Sequence, residues 1–321
     1  MASKPERTTD ARFFGPEEVG RLLPWNDLIA AIEQVVLEVG AFAPERTVHT
    51  VPDANGDNAA LLLKPGWVAG EVIAVKAVTF FPNNGQLDLP TVNAGVLLFS
   101  GANGTFLGAC DGNVLTTRRT AAASVVAAKR LARSDAKQLL VVGTGALAPM
   151  TARAHCSVRD YDVVEVWGRD IDKARALANS LITESIPARV AEDLDQAVAS
   201  ADVITASTSS KGPLIRGALL KPGTHVDLIG AFSPDMRESD DDVIRRSTLF
   251  VDTRTDGTIA GDLAQPLAGG LISIEDIAGD LVDLVSGVHP GRTSEDEITV
   301  FKSAGFALED VAAARLVFAD G

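Results

Sequence analysis

The sequence predicts an α/β fold: a doubly wound parallel sheet joined to a second, α+β domain. Three observations predict it. From about residue 139, short apolar runs alternate with helical stretches, the signature of a parallel sheet. The first of those runs, Leu139–Val142, leads into a glycine-rich turn and another helix. The stretch from about Thr47 to Gly108 instead holds apolar runs separated by Pro-Gly, Asn-Gly and Pro-Asn-Asn-Gly, which suit hairpins. The chain has 321 residues, enough for about two domains at roughly 150 residues each.

Taken in order, residues 1–10 read as a polar tail. Glu17 to Val39 reads as one helix, with Leu28, Ile29, Ile32, Val35, Val36 and Val39 near helical spacing and Gly40 as its stop. Leu61–Leu63, Val72–Val78 and Val96–Phe99 are strands of the hairpin region. Thr120–Arg133 is Ala-rich and apolar nearly all round, a strong helix former. Val163–Trp167, Asp202–Ala206, Val226–Ile229 and Leu249–Asp252 are further strands, with a helix over Asp172–Leu181. After Gly291 a strand or turn precedes a last helix.

Composition narrows the function. With 29 Lys and Arg against 43 Asp and Glu the net charge is −14, a poor match to nucleic acid or to an anionic membrane surface. Any positive charge that grips an anion must therefore be local. The two cysteines, Cys110 and Cys156, have no metal or disulfide spacing and read as free buried thiols. The four histidines are scattered, so no metal site is expected. The amino terminus lacks an apolar signal segment, and no apolar run nears the ~18 residues of a membrane span. The expected location is the cytoplasm.

Gly143-Thr144-Gly145-Ala146-Leu147-Ala148 follows a strand and opens a helix, a GxGxxA dinucleotide fingerprint. Gly143 permits the tight turn, Gly145 lets backbone approach a pyrophosphate, and Ala148 keeps the helix near the sheet. A glycine-rich turn without a ligand is the plain alternative. The next strand ends in Trp167-Gly168-Arg169-Asp170. An NAD site usually has a carboxylate there, whereas Arg169 suits a 2′-phosphate. NADPH is thus the expected cofactor, with NADH the alternative. The candidate cofactor contacts are Gly143, Gly145, Ala146, Leu147, Gly168, Arg169 and Asp170, with Ser207 and Thr208 beyond a later strand end.

Arg118-Arg119-Thr120 leads into the Ala-rich helix. Arginine at the positive end of a helix makes sense if an anion lies between them. His155 reads as a surface residue and His225 as touching cofactor only through its backbone. Lys76, inside an apolar strand, reads equally as an edge-strand lysine or as a ligand-facing ammonium.

At these residues the chain resembles the ornithine cyclodeaminase/mu-crystallin family. The matching segments run in the family's order: Ala43–Arg46, Lys76–Val78 with Pro82–Asn84, Leu115–Ala122, Val142–Ala146, Trp167–Arg169, Leu228–Ala231, Pro234 with Arg237-Glu238, and Ile298–Gly305. The resemblance implies a homodimer whose substrate-binding and dimerisation domain is built from residues 1–118 together with 299–321. A Rossmann domain of residues 119–298 is inserted between them. It implies that Arg46, Lys76 and Arg119 contact a substrate carboxylate, that Thr120 lies near the cofactor phosphates, and that Lys302 and Ser303 lie on the nicotinamide side. Ornithine-cyclising members carry an Asp after the Gly-Ala of Gly230-Ala231; this chain has Phe232, which can neither take a proton nor pair with an ammonium. The segment Asp227–Phe232 is similar to the branch that reduces Δ1-pyrroline-2-carboxylate to L-proline, so a cyclic imino acid is the expected substrate, Δ1-piperideine-2-carboxylate being a second one. Phe232 would line its ring, and Lys76 or a water would be the catalytic proton donor. Ornithine cyclodeaminase, an alanine-type dehydrogenase and a non-enzymatic NADPH-binding protein like mu-crystallin are the alternatives.

Overall fold

The computed structural model describes residues 11–52, 58–87 and 89–319. The first sheet gathers β1 (Arg12–Phe14), β2 (Ala41–Phe42), β3 (Thr47–Pro52), β4 (Asn58–Val68), β5 (Val72–Phe80), β6 (Val92–Ser100) and β7 (Phe106–Asp111). Its order is β1-β7-β6-β5-β4-β2, with β3 also on β4. β4 to β7 form an antiparallel meander of hairpins, as the turn signals predicted. Its register sets up two rows. Lys64, Lys76, Val96 and Cys110 lie side by side across β4 to β7 on one face. Phe13, Ala109, Leu97 and Val75 form the adjacent row on the opposite face.

The expected helix from Glu17 to Val39 is two helices, α1 (Pro16–Leu22) and α2 (Trp25–Val35). Pro24 lacks an N–H and clashes with a continuing helix, so the chain breaks there. The second helix also ends early, and Val39 is 97 % exposed. α2 buries Leu28, Ile29, Ile32 and Val35 against α3 (Gly112–Leu131) and the last helix, α11 (Ala307–Ala319).

α3 starts eight residues before the expected Thr120, because the Asp111 carboxylate accepts the Val114 N–H at 2.7 Å and caps it. Ala121–Ala123 and Val125–Ala128 are buried; these small side chains let the helix pack closely against neighbours on both sides.

The second sheet has eight strands, all parallel. With the helices between them they run β8 (Gln138–Val142), α4 (Ala148–Val158), β9 (Val163–Trp167), α5 (Ile171–Thr183), β10 (Ala188–Val190), α6 (Leu194–Ser200), β11 (Val203–Ala206), β12 (His225–Leu228), α7 (Asp241–Arg245), β13 (Ser247–Val251), α8 (Arg254–Ile259), α9 (Gly261–Ala268), β14 (Ile277–Asp280), α10 (Leu281–Ser286) and β15 (Ile298–Lys302). The spatial order is β10-β9-β8-β11-β12-β15-β13-β14. The connections reverse between β8 and β11, so a crevice opens at their carboxyl ends.

Both expected domain boundaries fall inside elements. Residue 119 lies in the middle of α3, and the 298/299 division cuts β15 at its first residue. β15 pairs with β12 and β13 within the parallel sheet, so residues 299–302 belong to that sheet. Among the described residues no helix is long and apolar enough to cross a membrane.

His155 is not a surface residue, and the His225 side chain is engaged. α4 is sandwiched between the parallel sheet and α3, leaving His155 1 % exposed. The Asp227 carboxylate lies 3.1 Å from His155 Nε2 and 3.0 Å from His225 Nε2, and accepts the Ser124 hydroxyl at 2.7 Å. Burial pushes Asp227 up, yet the two imidazoles hold it below the usual carboxylate range. This network joins α3, α4 and β12 in the interior.

Candidate active site

The glycine turn lies at the switch point. Gly143 has φ +125°, and a Cβ there would come within 3.0 Å of the Ser207 carbonyl, so only glycine lets the β8 and β11 loops meet. Gly145 faces open space, with nothing within 4 Å of where a Cβ would stand. Beside this turn the Ser207 hydroxyl is buried without a hydrogen-bond partner. Open room at Gly145, the start of α4 and an orphan hydroxyl fit a dinucleotide pyrophosphate.

Other candidates are placed differently. Arg169 is exposed and makes no ion pair among the described residues. Asp170 caps α5, its Oδ1 accepting the Asp172 and Lys173 N–H groups at 3.0 and 3.2 Å. The Thr208 backbone N–H and hydroxyl both donate to Glu238 Oε1, at 2.6 and 2.9 Å. Glu238 Oε2 accepts from Gly230 and Ala231 at 2.8 and 3.1 Å. Glu238 thereby ties the loops after β11 and β12 together, with burial raising its own protonation point. Ser303 is buried and donates to Asp252 Oδ2 at 3.0 Å; Lys302 pairs with Asp262 at 3.2 Å.

Arg119 is not at a helix start. It lies two turns inside α3, 4 % exposed, so the helix-end argument for an anion does not hold. What holds the guanidinium is α11: Nη1 donates to Glu309 Oε2, and Nε lies 2.8 Å from Asp310 Oδ1. Thr120 follows it, also buried inside the helix, with no side-chain hydrogen bond among the described residues. Arg118 is a structural staple, donating to the Leu23 carbonyl at 2.6 and 2.9 Å and stacking over Trp25.

Lys76 is on an interior strand, not an edge. It is 1 % exposed, and its ammonium donates to Asp310 Oδ1 at 2.7 Å. Burial, with the Arg119 charge alongside, lowers its pKa to about 7. Its cross-strand partner Lys64 is 6 % exposed and donates to the Gly305 carbonyl at 2.5 Å. Gly305 has φ +94°; a Cβ there would lie 3.0 Å from both terminal Arg119 nitrogens and from Lys64 Nζ. Arg46 Nε lies 3.3 Å from Asp256, whose carboxyl is pushed up by burial and pulled back by Lys64 and Arg46. Asp310 is pushed up by burial, but Arg119 and Lys76 outweigh this and hold it low. Glu309 rises to about 7 through burial, Arg119 pulling against the nearby Asp252 and Asp310.

Lys76 and Arg119 thus share Asp310 in one ion-pair network, while Arg46 pairs separately with Asp256. Phe232, on the loop after β12, is 43 % exposed and makes no ring contact among the described residues. Lys64, Asp256, Glu309 and Asp310 escaped the sequence analysis. A lysine ending the apolar Leu61–Leu63 run and an acid pair opening an otherwise apolar helix were the available signals. Asp256 left none.

Residues 15–320 match the profile of the ornithine cyclodeaminase/mu-crystallin family. The Δ1-pyrroline-2-carboxylate reductase of Paracoccus denitrificans is 38% identical over 304 residues, covering 94% of both chains. The solved structure of Thermococcus litoralis Δ1-pyrroline-2-carboxylate reductase with NADH and L-proline superposes with TM-score 0.90 at 31% identity, covering 96% of each chain. An archaeal alanine dehydrogenase dimer with bound NAD gives TM-score 0.89 at 27% identity, over 97% of this chain and 95% of that one.

Proposed function

The chain belongs to the ornithine cyclodeaminase/mu-crystallin family, and from that membership we propose that it reduces Δ1-pyrroline-2-carboxylate to L-proline with NADPH. It is an oxidoreductase acting on C=N bonds. The observation that supports the substrate reading is the buried pair of cations Lys76 and Arg119 sharing Asp310, with the half-buried Arg46 as a further candidate, which suits a small acid. Phe232 supports an imine over ornithine, because a phenyl ring cannot assist loss of an amine.

When bound, the reduced nicotinamide supplies a hydride to the imine carbon. The protein's own contribution is orientation and a proton. The guanidinium groups fix the carboxylate and hence the ring face presented; such orientation is worth several kcal/mol. Lys76 holds the proton for the imine nitrogen, and a pKa of about 7 suits donation at neutral pH. Asp310 keeps that ammonium in place.

Arg169 supports NADPH over NADH, since its free guanidinium can pair with a 2′-phosphate. Gly143, Gly145, Ala146, Leu147, Gly168 and Ser207 would line the dinucleotide. The first sheet with α11 would form the substrate domain. Its outer row, with Phe13 71 % and Leu97 39 % exposed, supports a homodimer.

NADPH and NADH oxidation should be followed with pyrroline-2-carboxylate, piperideine-2-carboxylate, and pyruvate plus ammonia. Fast turnover of a ring imine, with NADPH preferred, is expected. Turnover only of pyruvate plus ammonia would make this an amino-acid dehydrogenase. Tight NADPH binding without any turnover would make it a carrier.

A further inference from the structure

The first sheet contains an arrangement that stability alone does not explain. Lys64 and Lys76 stand directly opposite each other across β4 and β5, both buried on the same face. Like charges so placed destabilise a sheet unless something negative separates or balances them. Lys76 has Asp310 at 2.7 Å. Arg119 has Glu309 and Asp310, and Arg46 has Asp256. Among the described residues, Lys64 alone of these four cations has no carboxylate within ion-pair range; it holds only a backbone carbonyl, that of Gly305. Lys64 is therefore the cation of this group that is left without a carboxylate partner.

Lys64 is also near the guanidinium expected to meet substrate. The Lys64 ammonium and both terminal nitrogens of Arg119 lie 3.0 Å from one common point at Gly305, so they are at most about 6 Å apart. That spacing matches the two oxygens of one carboxylate, each taking a charged donor. Burial, and the Arg119 charge beside it, depress the Lys64 pKa, and an arriving anion would restore its proton.

We propose that Lys64 is a further substrate-binding residue, whose ammonium leaves the Gly305 carbonyl to grip the carboxylate of the acid substrate together with Arg119. This rests on the imine-reductase reading for the identity of the acid, and on the unpaired Lys64 ammonium beside Arg119 for the contact itself. Binding a monocarboxylate would give Lys64 the carboxylate partner it lacks. A ligand without the acid group would leave it unmatched, so Lys64 acts as a filter for acids over neutral ring imines.

The test compares two imines that differ only in the acid group, pyrroline-2-carboxylate and 1-pyrroline, in wild-type and Lys64→Met holoenzyme. The expected result is a fall of about tenfold or more in the ratio of their kcat/KM values, with NADPH affinity unchanged and the ratio largely restored in Lys64→Arg. Equal losses on both imines would mean that Lys64 only props up the Gly305 turn, and would overturn the assignment. If wild-type enzyme reduces no ring imine, the proposed function fails. Lys64 is then judged by calorimetric titration of the NADPH-loaded protein with pyrrole-2-carboxylate, an unreactive planar acid. Binding at least tenfold weaker in Lys64→Met supports the contact; equal binding, or none to the wild type, refutes it.

Discussion

Two glycines two residues apart in the same turn make opposite predictions. Gly143→Ala forces a side chain into a positive-φ position against the Ser207 carbonyl, and should cost about 1–3 kcal/mol in urea unfolding. Gly145→Ala meets nothing, so stability should stay within about 0.5 kcal/mol while NADPH affinity drops about tenfold. Equal effects from both would remove the pyrophosphate from Gly145. At Lys76 the pKa of about 7 sets the pH profile. Imine reduction should slow as pH rises through 7 and the ammonium is lost. Lys76→Met should lose about 100-fold in kcat along with that inflection, while Asp310 keeps its Arg119 partner; a full inflection in the variant would exclude Lys76 as donor. Lys76 was legible in the sequence because a cation within an apolar run is conspicuous, whereas Arg119 was found through the family resemblance and a helix-end argument that the structure removes. Glu309 and Asp310 were not, because they meet those cations across 190 and 234 residues of chain, a separation that periodicity cannot bridge.

Elements whose periodicity is local were read well. β9 occupies Val163–Trp167, the expected span, and the hairpins of the first sheet follow their turn residues. The errors lie where one residue overrides a pattern: Pro24 divides the first helix, and Asp111 starts α3 early. That early start moved Arg119 from a helix end into the interior, where a pair of carboxylates takes the place of the expected anion as its partner. The turn between β15 and α11 was recognised only through family resemblance. It is pinned by Asp252, which accepts from the Ser303 hydroxyl and from the Ala304 and Gly305 N–H groups. Gly305→Ala would push the new methyl toward Arg119 and Lys64 at positive φ. Unfolding should then need about 1–3 kcal/mol less, and kcat/KM should fall with it as the cations shift. Unchanged stability would show that the turn relaxes freely.

Across the whole molecule, the buried charges link protonation to folding. Glu309 is raised to about 7 from an ordinary 4.5. Its contribution to stability is therefore complete below pH 4.5 and lost as pH rises through 7. Lys76, lowered from 10.5 to about 7, gives the opposite slope between pH 7 and 10.5. In Glu309→Gln the neutral amide cannot titrate. Its Tm relative to wild type should rise between pH 4.5 and 8 in matched scans, and a pH-independent difference would show that Glu309 is ordinary. The two-sheet plan was legible because helices and strands alternate after residue 139 and not before. The place of β15 was not, since strand order in a sheet is set by packing rather than by sequence neighbourhood. That placement has a consequence for biosynthesis. Of the fifteen strands among the described residues β15 leaves the ribosome last, yet its slot lies between β12 and β13, which are made earlier. Until it arrives, a nascent chain has a gap lined by unpaired backbone, and the acidic pair of α11 that secures Arg119 is still missing. Nascent chains halted before Ile298 would thus expose sticky strand edges, making them natural clients for chaperones that shield such edges.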